Sequence, residues 1–132
     1  MLIGRNGSGD YSGIRFDYLW PGNDGVLATR LRRDNPDLRQ QPDGSLKEEG
    51  KYLSAPGAPN RLYFSPGINP ALLEDTTLPI IICEGEKKTL ALTALAEYAL
   101  EPGARPRWLS IGLAGVHAFS GKTCLLYTSR CV

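Results

Sequence analysis

The chain has 132 residues, 42% of them hydrophobic and 22% charged, with a formal net charge of +1. That size and balance suit one globular domain and by themselves make no electrostatic case for a nucleic-acid partner. No run approaches the roughly 18 apolar residues of a membrane span. Residues 1–12 are glycine-rich and polar, which predicts a flexible lead-in rather than a signal peptide; without an export signal the expected compartment is the cytoplasm. "GIRFDYLW" (Gly13–Trp20) alternates, with Ile14, Phe16 and Tyr18 on one face and Arg15 and Asp17 on the other, as in a half-buried strand. "PGNDG" (Pro21–Gly25) is a turn by composition. "VLATRLRR" (Val26–Arg33) reads as the second strand of a hairpin.

Asp34–Gly50 is polar, holds two prolines and an Asp-Gly, and reads as a long surface loop. Lys51–Gly67 contains two short predicted strands, "KYLS" and "RLYF". "INPALLEDTT" predicts a short helix with Asn69 as N-cap and Pro70 at its first position. The pattern then changes. "LPIIICE" (Leu78–Glu84) is a continuous apolar run of the kind found in parallel strands covered on both faces. "GEKKTLALTALAEYAL" (Gly85–Leu100) is rich in Ala, Leu, Glu and Lys and predicts a helix, with Leu92, Leu95, Ala96 and Ala99 as its apolar stripe. "RWLSIGLAG" (Arg107–Gly115) predicts a second buried strand ending in a glycine turn. Strand, helix, strand over this stretch is a βαβ unit. The predicted organisation is a β-rich lobe over 13–77 followed by a partial α/β domain over 78–123, α/β in class and α+β taken whole.

Glu84 falls at the carboxyl end of a predicted parallel strand, where open sheets bind ligands. Gly85 permits the sharp turn that follows, and the helix behind it directs free N–H groups into the same crevice. A carboxylate in that position can move a proton or hold a divalent cation. Lys87 and Lys88 sit in the first helical turn, where the helix dipole disfavours cations; they could meet phosphate, the plainer expectation being a solvated helix face. Arg30 and Arg32 share one strand face. With Lys51 they could track a nucleic-acid backbone while Tyr52, Tyr63 or Phe64 stack on bases. The plainer expectation is aromatics in the lobe's core and arginines solvated or paired with Asp34 and Asp37. Cys83 reads as a buried, inert thiol, Trp20 and Trp108 as packing residues, and His117 as a surface or capping residue. "GVHAFSGKT" is no Walker A motif, because Gly115 and Gly121 have five residues between them where that motif has four.

Hydrophobic strand, Glu-Gly, then helix resembles the first motif of Toprim domains, found in primases, topoisomerases and related nucleases. More narrowly, "ATRLRRDNPD", "KYLSAPGAPNRLYFSPG", "IIICEGEKKTLAL" and "SIGLAGVHAF" resemble, in that order, the Toprim-like domain-of-unknown-function family 3854, which occurs in replication proteins of phages, plasmids and integrated elements. The resemblance runs from about Gly13 to Phe119. It implies that Glu84 is the general acid/base and a ligand of Mg²⁺, that Gly85 and Gly115 are structural turns, and that the partner is DNA or RNA. It further implies primer synthesis or another metal-dependent phosphoryl transfer, with a helicase or ATPase domain possible in the parent protein. The family's later Asp-x-Asp, a Mg²⁺ site, has no counterpart: no Asp or Glu follows Glu101. The rival to an enzyme is therefore a non-catalytic nucleic-acid-binding module of the same shape.

The tail departs from the rest. "CLLYTS" (Cys124–Ser129) can be coded TGT CTC TTA TAC ACA TCT, which looks like the mosaic end of a transposase-based sequencing adapter, and Arg130–Val132 like the start of that element reversed. Cys124–Val132 is thus expected to be adapter-derived, with the natural protein continuing beyond Lys122. Without the tail, Lys+Arg falls from 15 to 14 against 14 Asp+Glu, a net charge of zero. Cys83 is then the one remaining cysteine, and no disulfide framework is possible.

Overall fold

A computed structural model describes residues 9–115. His117, the "GVHAFSGKT" stretch after Gly115, the tail cysteines and the first eight residues lie outside the described part. The chain divides into two compact units, one holding residues up to Asp17 and Ala28–Ala58, the other Tyr18–Leu27 and the residues from Pro59 on. The class is mixed α/β: several antiparallel strands, a small parallel sheet and one α-helix.

In the first unit, strands β1 (Gly13–Tyr18), β2 (Ala28–Arg33) and β5 (Tyr52–Ser54) form a sheet in the order β1-β2-β5. Strand β1 runs on to Tyr18, the first residue of the second unit. Bonds from Asp34 N–H to the Ser12 carbonyl and from Leu27 N–H to the Tyr18 carbonyl close the predicted hairpin. Phe16, Tyr18 and Leu31 are buried, while Ile14 is exposed. Strand β5 pairs antiparallel with β2, setting Leu53 opposite Leu31 and Tyr52 opposite Arg32.

Asp34–Gly50, expected as a loop, contains a second hairpin, β3 (Asp37–Gln40) paired antiparallel with β4 (Leu46–Glu49). Its turn carries the predicted Asp-Gly: Asp43 Oδ1 accepts from the Ser45 N–H and hydroxyl, and Gln41 N–H donates to the Ser45 carbonyl. All eight strand residues are exposed. With neither face buried, the hairpin has no alternation of apolar residues to announce it.

The second unit contains β6 (Ile80–Glu84), α1 (Glu86–Glu97) and β7 (Leu109–Leu113), with β6 and β7 parallel and Ile82 opposite Ile111. This is the predicted βαβ unit. "RLYF" contributes one bridge instead of a strand: Tyr63 and Gly112 exchange two backbone hydrogen bonds on the other edge of β7. "INPALLEDTT" forms a single 3-10 turn, Pro70–Leu73, capped by Asn69 as expected. Phe64, Leu78, Leu109 and Ile111 form the core, with Ile68 and Leu72 against it.

Two burial expectations fail. All five residues of β7 are buried, but β6 alternates, and Ile80 and Ile82 are more than half exposed. Phe64 and Leu78 cover the β7 side of that sheet face, and β6 has a strand neighbour only in β7 among the described residues. The helix keeps only part of its predicted stripe: Ala96 is buried and Leu92 half-buried, but Leu95 and Ala99 are exposed. It buries Glu86, Thr89 and Ala96, while Leu95 is 54% exposed. The sheet explains this. A Cβ on Gly112 would stand 2.2 Å from Thr89 Oγ1 and 3.2 Å from Tyr63 Cβ. Only a bare glycine lets helix and strand approach so closely, and only small residues on α1 fit such a gap.

Candidate functional site

Glu84 is the last residue of β6, opposite Leu113 at the carboxyl end of the parallel pair. Its side chain is half exposed, and Lys88 Nζ stands 3.4 Å from its Oε2. Gly85 follows at φ 79°, ψ 157°, a region that essentially only glycine occupies. Nothing lies within 4 Å of where its Cβ would be, so this glycine is required by backbone angle rather than by space. Its N–H donates to the Leu113 carbonyl at 2.7 Å, tying the turn to β7. Its carbonyl accepts from Thr89 Oγ1 at 2.9 Å. Thr89 is fully buried, and its hydroxyl also lies 3.2 Å from Cys83 Sγ, so that thiol is half-buried and hydrogen-bonded rather than merely packed.

The second glutamate of the Glu-Gly-Glu plays a different part. Glu86 is 2% exposed, and Tyr18 donates its phenol hydrogen to Glu86 Oε1 at 2.5 Å. Tyr18 meets Tyr63 edge-on at 5.2 Å, and Tyr63 is bridged to Gly112. A chain of packed and hydrogen-bonded groups thus holds the first residue of α1. Sequence reasoning missed Glu86: a glutamate at a first helical position ordinarily reads as a solvated partner of the helix dipole.

Of the remaining predicted residues, Lys87 is exposed at the start of α1, and Gly115 follows β7 at φ 130° with open space around it. Glu84, Gly85, Lys87, Lys88 and Gly115 belong to the second unit; Arg30, Arg32 and Lys51 belong to the first. The Arg30 guanidinium lies 4.6 Å from the centre of the Tyr52 ring. Arg32 reaches Asp34 at 3.9 Å and Lys51 reaches Glu48 at 2.6 Å. Arg33 is buried and grips Asp37 through both terminal nitrogens, which holds the Asp37 carboxyl below its ordinary range. The pairing expected with Asp34 and Asp37 is therefore present for Arg32 and Arg33. Tyr63 and Phe64 are buried in the second unit's interior and offer no stacking face, whereas Tyr52 keeps 39% of its surface exposed. Trp20 packs edge-on against Phe64, and Trp108 donates to Ser110 Oγ.

One half-exposed carboxylate beside an ammonium can exchange a proton with a ligand. It does not make a magnesium site, which needs several oxygen ligands in octahedral array. Glu86 is occupied by Tyr18, and no group of three His, Cys, Asp or Glu among the described residues could hold a metal ion. Two grooves lie elsewhere: about 940 Å³ along the β3–β4 hairpin, and about 530 Å³ between Gly67–Leu72 and the turn at 101–106. None of the predicted site residues lines either one. No described helix is long and apolar enough to cross a membrane. No family model matches the chain, and no curated protein or solved structure matches it either.

Proposed function

We propose that this chain is part of a Toprim-like, primase-type replication protein of a phage, plasmid or integrated element, working in the cytoplasm. In this reading Glu84 is the general acid/base of phosphoryl or nucleotidyl transfer on DNA or RNA. The Mg²⁺ of such a reaction takes further ligands from outside the described residues. Arg30, Arg32 and Lys51 in one unit, and Lys87 and Lys88 in the other, meet nucleic-acid phosphates. The observation that carries the reading is a carboxylate at the carboxyl end of a parallel strand, followed at once by a residue whose backbone angles demand glycine and then by a helix. That local geometry supports the reading of Glu84 as a first-motif glutamate.

The second reading is a nucleic-acid-binding module without catalysis, in which Glu84, 3.4 Å from Lys88 Nζ, is an ordinary surface ion-pair partner. One experiment separates them. The source locus is re-sequenced without transposase tagging, and protein from its full reading frame is assayed with Mg²⁺ for nucleotide incorporation and strand cleavage on single-stranded DNA and RNA. Turnover that falls about 100-fold or more in Glu84→Gln, with oligonucleotide affinity kept, is the expected result. Turnover indifferent to Glu84→Gln refutes the assignment. Binding without turnover in either protein transfers the function to the binding module.

A further inference from the structure

The glycine that makes the turn at the end of β6 possible also leaves it loose, since glycine has the widest backbone freedom of any residue. Three contacts hold the turn to one conformation. The Gly85 N–H is tied to the Leu113 carbonyl at 2.7 Å, and the Gly85 carbonyl to the Thr89 hydroxyl at 2.9 Å. The third acts one residue on, where the Glu86 carboxyl accepts the Tyr18 phenol hydrogen at 2.5 Å, both residues being buried. Stability alone does not call for an acid there. Taking a carboxyl out of water costs desolvation that its partners at best offset. What the acid adds is direction: a hydrogen bond constrains distance and angle, whereas apolar burial is non-directional.

We propose that Glu86 and Tyr18 are positioning residues for Glu84, holding its carboxylate at a set place and angle at the carboxyl end of β6. The inference rests on the reading of Glu84 as a general acid/base. Only Gly85 separates Glu84 from Glu86, so their Cα atoms are at most about 7 Å apart, and a shift of the first helical residue passes straight to the end of the strand. Lys88 carries the same coupling. Its Nζ stands 3.4 Å from Glu84 Oε2, and it belongs to the helix that Glu86 begins. The backbone behind Glu84 and the ammonium beside it therefore both move with Glu86. Tyr18 is itself held, edge-on to Tyr63 at 5.2 Å, and Tyr63 is bridged to Gly112 of β7. Gly112 is in turn the register partner of Cys83, the residue before Glu84. The contacts thus form a closed circuit that starts and ends on β6, with Glu84 inside it and the Tyr18–Glu86 hydrogen bond as its one side-chain link between helix and aromatic pair.

Two measurements test it. The first reads the turn itself, as amide hydrogen exchange in the 132-residue chain. Tyr18→Phe should lower the protection of the Gly85 amide about 10-fold more than that of Ile111, a buried β7 residue. The second reads turnover on oligonucleotides with Mg²⁺, in protein from the full reading frame and at a temperature where tryptophan fluorescence shows every variant folded. Tyr18→Phe should lower kcat about 10-fold with KM unchanged. Glu86→Gln keeps an oxygen for the phenol and should lower kcat less than Glu86→Ala; this pair carries both measurements should Tyr18→Phe misfold. Gly85 protection that merely follows Ile111 overturns the proposal, whatever turnover shows. So does an unchanged kcat in a protein whose turnover does depend on Glu84. Selective loss at Gly85 with turnover that is absent, or indifferent to Glu84→Gln, overturns it through the reading of Glu84 on which it rests, so the two failures are told apart.

Discussion

Replacing Gly112 by alanine tests the reason α1 lies as it does. The new methyl would stand 2.2 Å from Thr89 Oγ1, well inside contact distance, and 3.2 Å from Tyr63 Cβ, a gap a few tenths of an ångström of movement can relieve. Relief at Thr89 requires its hydroxyl to swing away from the Gly85 carbonyl, which it bonds at 2.9 Å, and from Cys83. Overpacking costs about 1–3 kcal/mol and the lost hydrogen bond about 1 more, so Gly112→Ala should destabilise the second unit by about 2–4 kcal/mol. Thr89→Ala alone removes the same bond and a buried methyl, at about 1–2 kcal/mol. In the double variant the oxygen that clashed is gone. Its cost should fall at least about 1 kcal/mol short of the sum of the singles. Both tryptophans, Trp20 and Trp108, lie in the second unit, so urea unfolding followed by tryptophan fluorescence reads the right part of the molecule. Additivity within about 0.5 kcal/mol, or a Gly112→Ala cost below about 1 kcal/mol, would refute the argument that helix phase is set by close approach over Gly112.

Two further outcomes follow from single contacts. Tyr18→Phe keeps the ring against Tyr63 but removes the phenol that donates to the buried Glu86 carboxyl; a loss of about 1–3 kcal/mol is expected in the same fluorescence assay, and a loss below about 0.3 kcal/mol would deny the contact a role in fixing α1. The Arg105 guanidinium and the Thr77 hydroxyl and N–H bond the Asp75 carboxyl and hold it well below the usual carboxylate range. Because the folded value is depressed, the stabilisation is present above the ordinary aspartate value near 3.9 and fades as pH falls below it. Acid titration from about pH 5 to 2 should loosen the 101–106 turn in wild type, seen as lower protection there once amide exchange is corrected for its intrinsic pH dependence, and change it less in Asp75→Asn; equal pH dependence of protection in the two proteins would remove Asp75 from the account.

Wherever burial and period coincide, this fold is written in the sequence. The alternation at Phe16 and Tyr18, the cap at Asn69, the apolar run into Glu84 and the Glu-Gly turn each rest on forces acting within a few residues. They gave the first hairpin, the 3-10 turn and the strand–helix–strand unit, with Glu84 at the end of the strand and Gly85 in the turn. The exposed β3–β4 hairpin escaped because a ribbon buried on neither face needs no apolar pattern. Tertiary structure alone decided which side of α1 faces the sheet. The apolar content of that helix is spread around it, so its own sequence fixes no phase, and the bare backbone of Gly112 selects Thr89 over the leucines. The same choice separates the two glutamates. Two residues apart in sequence, they part at Gly85: Glu84 ends a strand beside solvent, and Glu86 begins a helix against Tyr18, a residue 68 positions away. Local propensity cannot foresee so distant a partner.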